Sequence, residues 1–143
     1  MGREVRKVPA SWQHPKDARG RFVPLHGSSI RKVTEEFEAK KEAEGWDAAM
    51  AYFGRRPYAE DYMPDWSDAE RTHLMMYETC SEGTPLSPAF GTPEELARWL
   101  ADNNASAFGQ KTASYEQWLR TIRAGGAPSA AIVGGRLIPG VAL

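Results

Sequence analysis

The sequence holds one cysteine, Cys80, among 143 residues, so no disulfide can close within the chain and a reducing compartment fits best. It has no Cys-x-x-Cys and no His-x-x-x-His. Its three histidines, His14, His26 and His73, are scattered, so no zinc site and no other metal or cofactor is expected. No apolar run approaches the roughly 20 residues of a membrane-spanning helix. The apolar stretch Ala130–Leu143 is broken by Gly134, Gly135, Pro139 and Gly140. No apolar core follows the charged start Met1–Lys7, which argues against a secretory signal. No glycine-rich phosphate loop follows a predicted strand; Gly125-Gly126 and Gly134-Gly135 read as turns. Cys80 has Ser81 beside it and His73 seven residues upstream, but lacks the adjacent base and orienting group of a nucleophile, and reads as a small packed residue.

Charge is present but segregated. The formal net charge is −1, yet residues 1–32 carry eight Lys/Arg against two acids, for +6. Residues 33–105 carry six basic and sixteen acidic residues, for −10, and residues 106–143 four and one, for +3. Such asymmetry predicts either a basic arm lying on an acidic body or two charged surfaces for partners.

The pattern predicts an α+β fold: a small antiparallel or mixed sheet of two hairpins with about four helices, preceded by a basic extended N-terminal arm. The arm is assigned to 1–27, where Pro9, Pro15 and Pro24 forbid a long helix and only Arg21–Leu25 reads as a short strand. A single domain is assigned to 28–143. Ser28 or Ser29 caps a helix running to about Glu44, with Ile30, Val33 and Phe37 as its apolar stripe, a Glu36–Lys40 pair and Gly45 at its end. A second helix spans about Asp47–Phe53, and 55–68 reads as a long packed loop.

A hairpin follows, its first strand starting near Thr72 or His73. Asp68–Met76 also admits a helix, but the β-favouring Tyr77–Thr79 and the Gly83 turn favour a strand. Ser81–Gly83 reads as a bulged three-residue loop, and Pro85 and Pro88 make the second strand an edge. Thr92, Pro93 and Glu95 form a capping box for a helix that buries Leu96, Trp99 and Leu100. Ser114 and Gln117 open another, with Trp118, Leu119 and Ile122 inward and Gly125-Gly126 at its end. Ser129–Val133 and Arg136–Ile138 form a last hairpin across Gly134-Gly135.

Two segments stand out as interaction surfaces. The first is acidic and aromatic: Tyr58, Glu60, Asp61, Tyr62, Asp65 and Asp68, with Glu82 on the hairpin turn. Negative charge steers a basic partner and the rings anchor it. A solvated acidic face explains the same carboxylates. The second is the arm, where Arg3, Arg6, Lys7, Arg19 and Arg21 surround Trp12, a pattern that tracks phosphates and stacks a base. An arm pinned to an acidic body is the other reading. A catalytic reading would require His73, Glu78 and Glu82 to converge.

Val8-Pro-Ala-Ser-Trp12-Gln-His14-Pro15, Gly20-x-Phe22-x-Pro-Leu25, Tyr62-Met-Pro64-x-Trp66, and Tyr77-Glu78 with Ser81-Glu-Gly-Thr-Pro85-x-Ser87-Pro88-x-Phe90 together resemble small proteins common in tailed bacteriophages and prophages. The resemblance spans most of the chain and brings no catalytic residues with it. It implies a phage gene product working in the cytoplasm of the bacterial host. The expectation is a non-enzymatic accessory protein that binds a host or defence-system protein, such as an anti-defence (for example anti-CRISPR) inhibitor. A nucleic-acid-binding module using the basic arm is the alternative, and a small enzyme with His/Glu acid–base residues a second one. The oligomeric state is left open.

Overall fold

In a computed structural model that describes residues 2–143, the chain forms two compact units. One joins the N-terminal segment through Val23 with Ser67–Leu143; the other is Pro24–Trp66. This differs from the expected arm followed by one domain. The basic N-terminal residues supply a sheet strand, and the helical pair belongs to a unit that falls, in sequence, between that strand and its partner strands.

The larger unit is α+β. Its sheet has four antiparallel strands in the order β3-β2-β1-β4, where β1 is Arg3–Val8, β2 His73–Glu78, β3 Thr84–Pro85 and β4 Gly126–Ala127. β1 and β2 pair along their whole length, from Arg3 opposite Glu78 to Val8 opposite His73. Residues facing each other across an antiparallel pair share a face. Arg3, Val5 and Lys7 therefore lie with Glu78, Met76 and Leu74; Glu4, Arg6 and Val8 lie with Tyr77, Met75 and His73.

The first face is covered by two helices, α3 (Pro93–Asp102) and α4 (Tyr115–Ala124), which pack on each other. Met76, Leu96, Ala97, Leu100, Trp118, Ile122 and Val141 form the buried core there, with Val5, Leu74, Phe90 and Trp99 packed around it. Thr92 caps α3 through Glu95 N–H, and Pro93 opens it. The capping box is only half made, because the Glu95 carboxylate accepts from the Thr92 hydroxyl. Ser114 and Gln117 complete theirs at α4.

The last hairpin, Ala130–Val133 (β5) with Arg136–Pro139 (β6), is a separate two-stranded sheet. Gly134 and Gly135 both take positive φ, as a two-residue primed turn requires. Its tip leaves Ile132, Val133 and Leu137 exposed.

The first hairpin differs from expectation at its turn. Glu78 pairs with Thr84, so the loop is Thr79–Gly83, five residues rather than three, with Glu82 at φ 66. Ser81 holds it by donating to Glu78 O at 3.2 Å and bonding the Thr84 hydroxyl at 2.5 Å. The expected strand Arg21–Leu25 does not form: Pro24 offers no donor, Val23 N–H donates to Pro15 O, and only an isolated Lys16–Phe22 bridge remains.

The smaller unit contains α1 (Ile30–Glu44) and α2 (Trp46–Phe53). Ser29 caps α1 through Lys32 N–H, and Gly45, at φ 93, joins the two helices. Phe37 is fully buried, with Trp46 and Phe53 edge-on to it at 5.8 and 5.5 Å. Lys40 pairs with Glu44 at 2.7 Å rather than with Glu36 and lies over the Tyr52 ring.

Close packing of backbone on backbone fixes the C-terminal segment. Gly140 donates its N–H to Ser129 O at 3.1 Å, and a Cβ there would overlap the Pro128 carbonyl. Gly140→Ala is expected to destabilise the protein by about 1–3 kcal/mol through overpacking. A denaturation midpoint unchanged from the wild type would contradict this packing.

Candidate functional site

The second sheet face, carrying Tyr77 and Met75, is covered by the segment Pro9–Val23. Three side chains do this through one hydroxyl. Trp12 Nε1 donates to the Tyr77 oxygen at 3.1 Å. His14 Nδ1 lies 2.9 Å from the same oxygen, and His14 Nε2 lies 2.5 Å from the Val23 carbonyl. A carbonyl only accepts, so Nε2 carries the ring proton. Nδ1 of the neutral imidazole then accepts from the Tyr77 hydroxyl. The chain of bonds from Trp12 through Tyr77 and His14 to Val23 is fully satisfied with every group neutral.

Charge supports this arrangement from the strand beside it. Arg6 lies 4.2 Å from the Tyr77 ring centroid and is held by Glu4 at 2.8 Å. Burial lowers the His14 pKa from its ordinary value; the bond to Val23 opposes this and the Arg6 charge adds to it. Burial likewise raises the Tyr77 hydroxyl, against the Trp12 bond and Arg6.

Beside this relay lies a groove of about 880 Å³, within the range of ligand-binding clefts. One wall is Ala10–Lys16 with Phe22, the other Pro85–Ala89, and Met75 and Trp99 also line it. Pro88 has no N–H and Pro85 none, so the edge segment follows the sheet irregularly. Leu86 N–H donates to Met76 O, while the Ser87 hydroxyl accepts Met76 N–H at 2.9 Å in place of a backbone carbonyl. Both walls are therefore tied to β2. A second hollow of about 500 Å³ lies along α3 among Phe90, Trp99 and Tyr115, where Arg98 already stacks on Tyr115 at 4.1 Å.

The expected basic surface is not assembled. Arg3 and Arg6 are 2% and 9% exposed, because they sit on the central strand β1. Arg3 donates to Ser106 O at 2.9 Å, to the Ser106 hydroxyl and to Gly2 O, and burial lowers its pKa against the pull of Glu78 and Cys80. Trp12 is bonded inward. Lys7 is exposed on the strand, and Arg19 and Arg21 are exposed on the turn after Lys16.

The acidic–aromatic residues are divided between the two units. Asp68 lies in a short 3-10 turn of the larger unit and Glu82 on its hairpin, both exposed. Within the smaller unit, Asp61 pairs with Arg55 and Asp65 lies 3.7 Å from Arg31. Arg55 also covers the Tyr58 ring, and the Tyr62 ring lies tilted against His26, centroids 5.2 Å apart. Glu60 is exposed and makes no ion pair among the described residues.

His73, Glu78 and Glu82 do not converge. His73 and Glu78 stand at opposite ends of β2 and on opposite faces, and Glu82 is on the turn beyond. Their spacing along a strand, roughly 3.3 Å per residue, separates the first two by far more than a proton-transfer distance.

In the sequence Trp12 reads as the base-stacking ring of the basic arm, His14 as one of three scattered histidines and Tyr77 as a strand residue. The i, i+2 spacing of Trp12 and His14 in an extended segment, which puts both on one side, is the signal that could have paired them with a strand face. Comparison with family models, with curated proteins and with solved structures gives no match.

The relay makes stability depend on pH. An unfolded histidine titrates near pH ~6.5, and the folded His14 binds its proton less readily. Stability is therefore full above that value and falls as pH drops through the lower folded one. Between pH ~7.5 and ~5, above the range where carboxylates titrate, the melting temperature of the wild type should fall more than that of His14→Gln. Parallel curves for the two proteins would contradict a neutral His14.

Proposed function

We propose that this chain works by binding a macromolecular partner, and that the groove of the α+β unit takes an extended segment of a protein. The observation that carries this is the groove itself: an aromatic- and proline-lined cleft of mixed polarity whose two walls are fixed to one strand by side-chain hydrogen bonds. A rigid cleft loses little freedom on binding, so a few anchored side chains suffice for affinity. Placing the contact here moves it from the acidic run, where Asp61 and Asp65 already have arginine partners.

The resemblance to small phage and prophage proteins supports a phage accessory role in the bacterial cytoplasm, with a host or defence-system protein as the target. An anti-defence inhibitor, of which anti-CRISPR proteins are one kind, is the form of that role that needs only binding.

Phe22 lines the groove, is 40% exposed and has no hydrogen-bonding atom to give the relay, its ring packing edge-on to His14 at 5.7 Å. Affinity purification from expressing bacteria should recover a partner with the wild type and with Ile132→Ser, whose side chain lies on the distant hairpin tip, but lose it with Phe22→Ala. Recovery unchanged by Phe22→Ala, or lost with Ile132→Ser instead, would place the contact elsewhere.

A further inference from the structure

The groove has a sign of charge that selects its occupant. Among its lining residues none is a carboxylate, and Lys16 is the one formal cation. Lys16 opens a tight turn in which Asp17 is the single acid. The Asp17 carboxylate accepts from Arg19 N–H at 2.8 Å, from Arg21 N–H at 3.0 Å and from Arg21 Nε at 3.2 Å. Arg21 therefore neutralises it within the turn. Lys16 and Arg19 are exposed and have no carboxylate partner among the described residues. Lys16 gives the groove one positive edge, and Met75, Trp12, Phe22, Leu86 and Trp99 form the apolar part of a lining that also holds Ser11, Gln13 and Ser87.

We infer that the groove takes an acidic, extended protein segment carrying one aromatic or long aliphatic anchor. This deepens the reading above and rests on it. The anchor buries against the rings and Met75, which supplies the holding interaction. Carboxylates flanking it meet Lys16, with Arg19 three residues further along the same exposed turn, and this charge sets the orientation and the encounter rate and rejects basic segments. Single-stranded nucleic acid would also answer to positive charge, but it needs open ring faces and several phosphate contacts. Here the Lys16 ammonium lies 5.0 Å from the Phe22 ring centroid, and Trp12 is edge-on to His14. One lining cation gives only a short phosphate track.

Panning random dodecapeptides on the full chain, followed by fluorescence titration of the enriched peptides, tests this. The enriched peptides should be net negative and contain an aromatic, leucine or methionine. Their affinity should fall about tenfold with Phe22→Ala. It should fall about fivefold with Lys16→Glu, be kept by Lys16→Arg, and weaken with added salt. Enrichment of neutral or basic peptides, or loss with Phe22→Ala and none with Lys16→Glu, overturns the acidic class while leaving the groove as the binding site. No enrichment, binding indifferent to Phe22→Ala, or oligo(dT) displacing the peptides overturns the class and the groove reading together.

Discussion

The Tyr77 hydroxyl is where the groove is joined to the fold, because it is the point at which the segment Pro9–Val23 is held on the sheet. The backbone hydrogen bonds of that segment are local: Trp12 to Pro9, Asp17 to Arg21, Gly20 to Asp17 and Val23 to Pro15. Its contacts downward are instead the indole and imidazole that meet at one phenol oxygen. A hydroxyl that accepts from one partner and donates to another fixes both directions at once. The histidine passes the constraint on to Val23, at the far end of the segment. One wall of the groove thus inherits the rigidity of β2, and Ser87 does the same for the other wall by accepting from Met76.

The charged strand beneath explains how this site is paid for. β1 is the centre of the sheet although four of its six residues are charged. Arg3 satisfies its guanidinium mostly with neutral oxygens around Ser106, so it fastens the strand to that loop. Arg6 spends its charge on Glu4 and on the face of the Tyr77 ring. A buried cation without these partners would cost several kcal/mol. Placing them withdraws Arg3 and Arg6 from the surface, while Lys7, Lys16, Arg19 and Arg21 stay exposed and Lys16 lines the groove.

Much of the fold was legible because it rests on local chemistry. Ser29, Thr92 and Ser114 mark helix starts in any context, and paired glycines at Gly134-Gly135 force a primed turn. The strand β2 and the edge character of Pro85 follow from residue type as well. β1 was not legible, since Arg3-Glu-Val-Arg-Lys-Val8 lacks apolar alternation and its burial depends on partners about 70 and 100 residues away. The two-residue β4 and the five-residue turn were hidden for the same reason: register is a property of the pair. At the site, Trp12, Phe22 and the prolines could be picked out individually. Their convergence with Met75 and Trp99 is set by the sheet and could not. The segregation of charge was visible, but not that Asp61 and Asp65 have their own arginines.

The central claim is that one hydroxyl holds the groove wall, and hydrogen exchange on Tyr77→Phe tests it most directly. Phenylalanine keeps the ring in place and removes only the shared oxygen, leaving the indole and imidazole without their partner at about 1–3 kcal/mol for each buried polar group. The Trp12 and Val23 amides, which are hydrogen-bonded within the segment, should then exchange about tenfold faster or more, while the β1 and β2 amides keep their protection. Unchanged exchange at Trp12 and Val23 in a folded Tyr77→Phe protein would contradict the account.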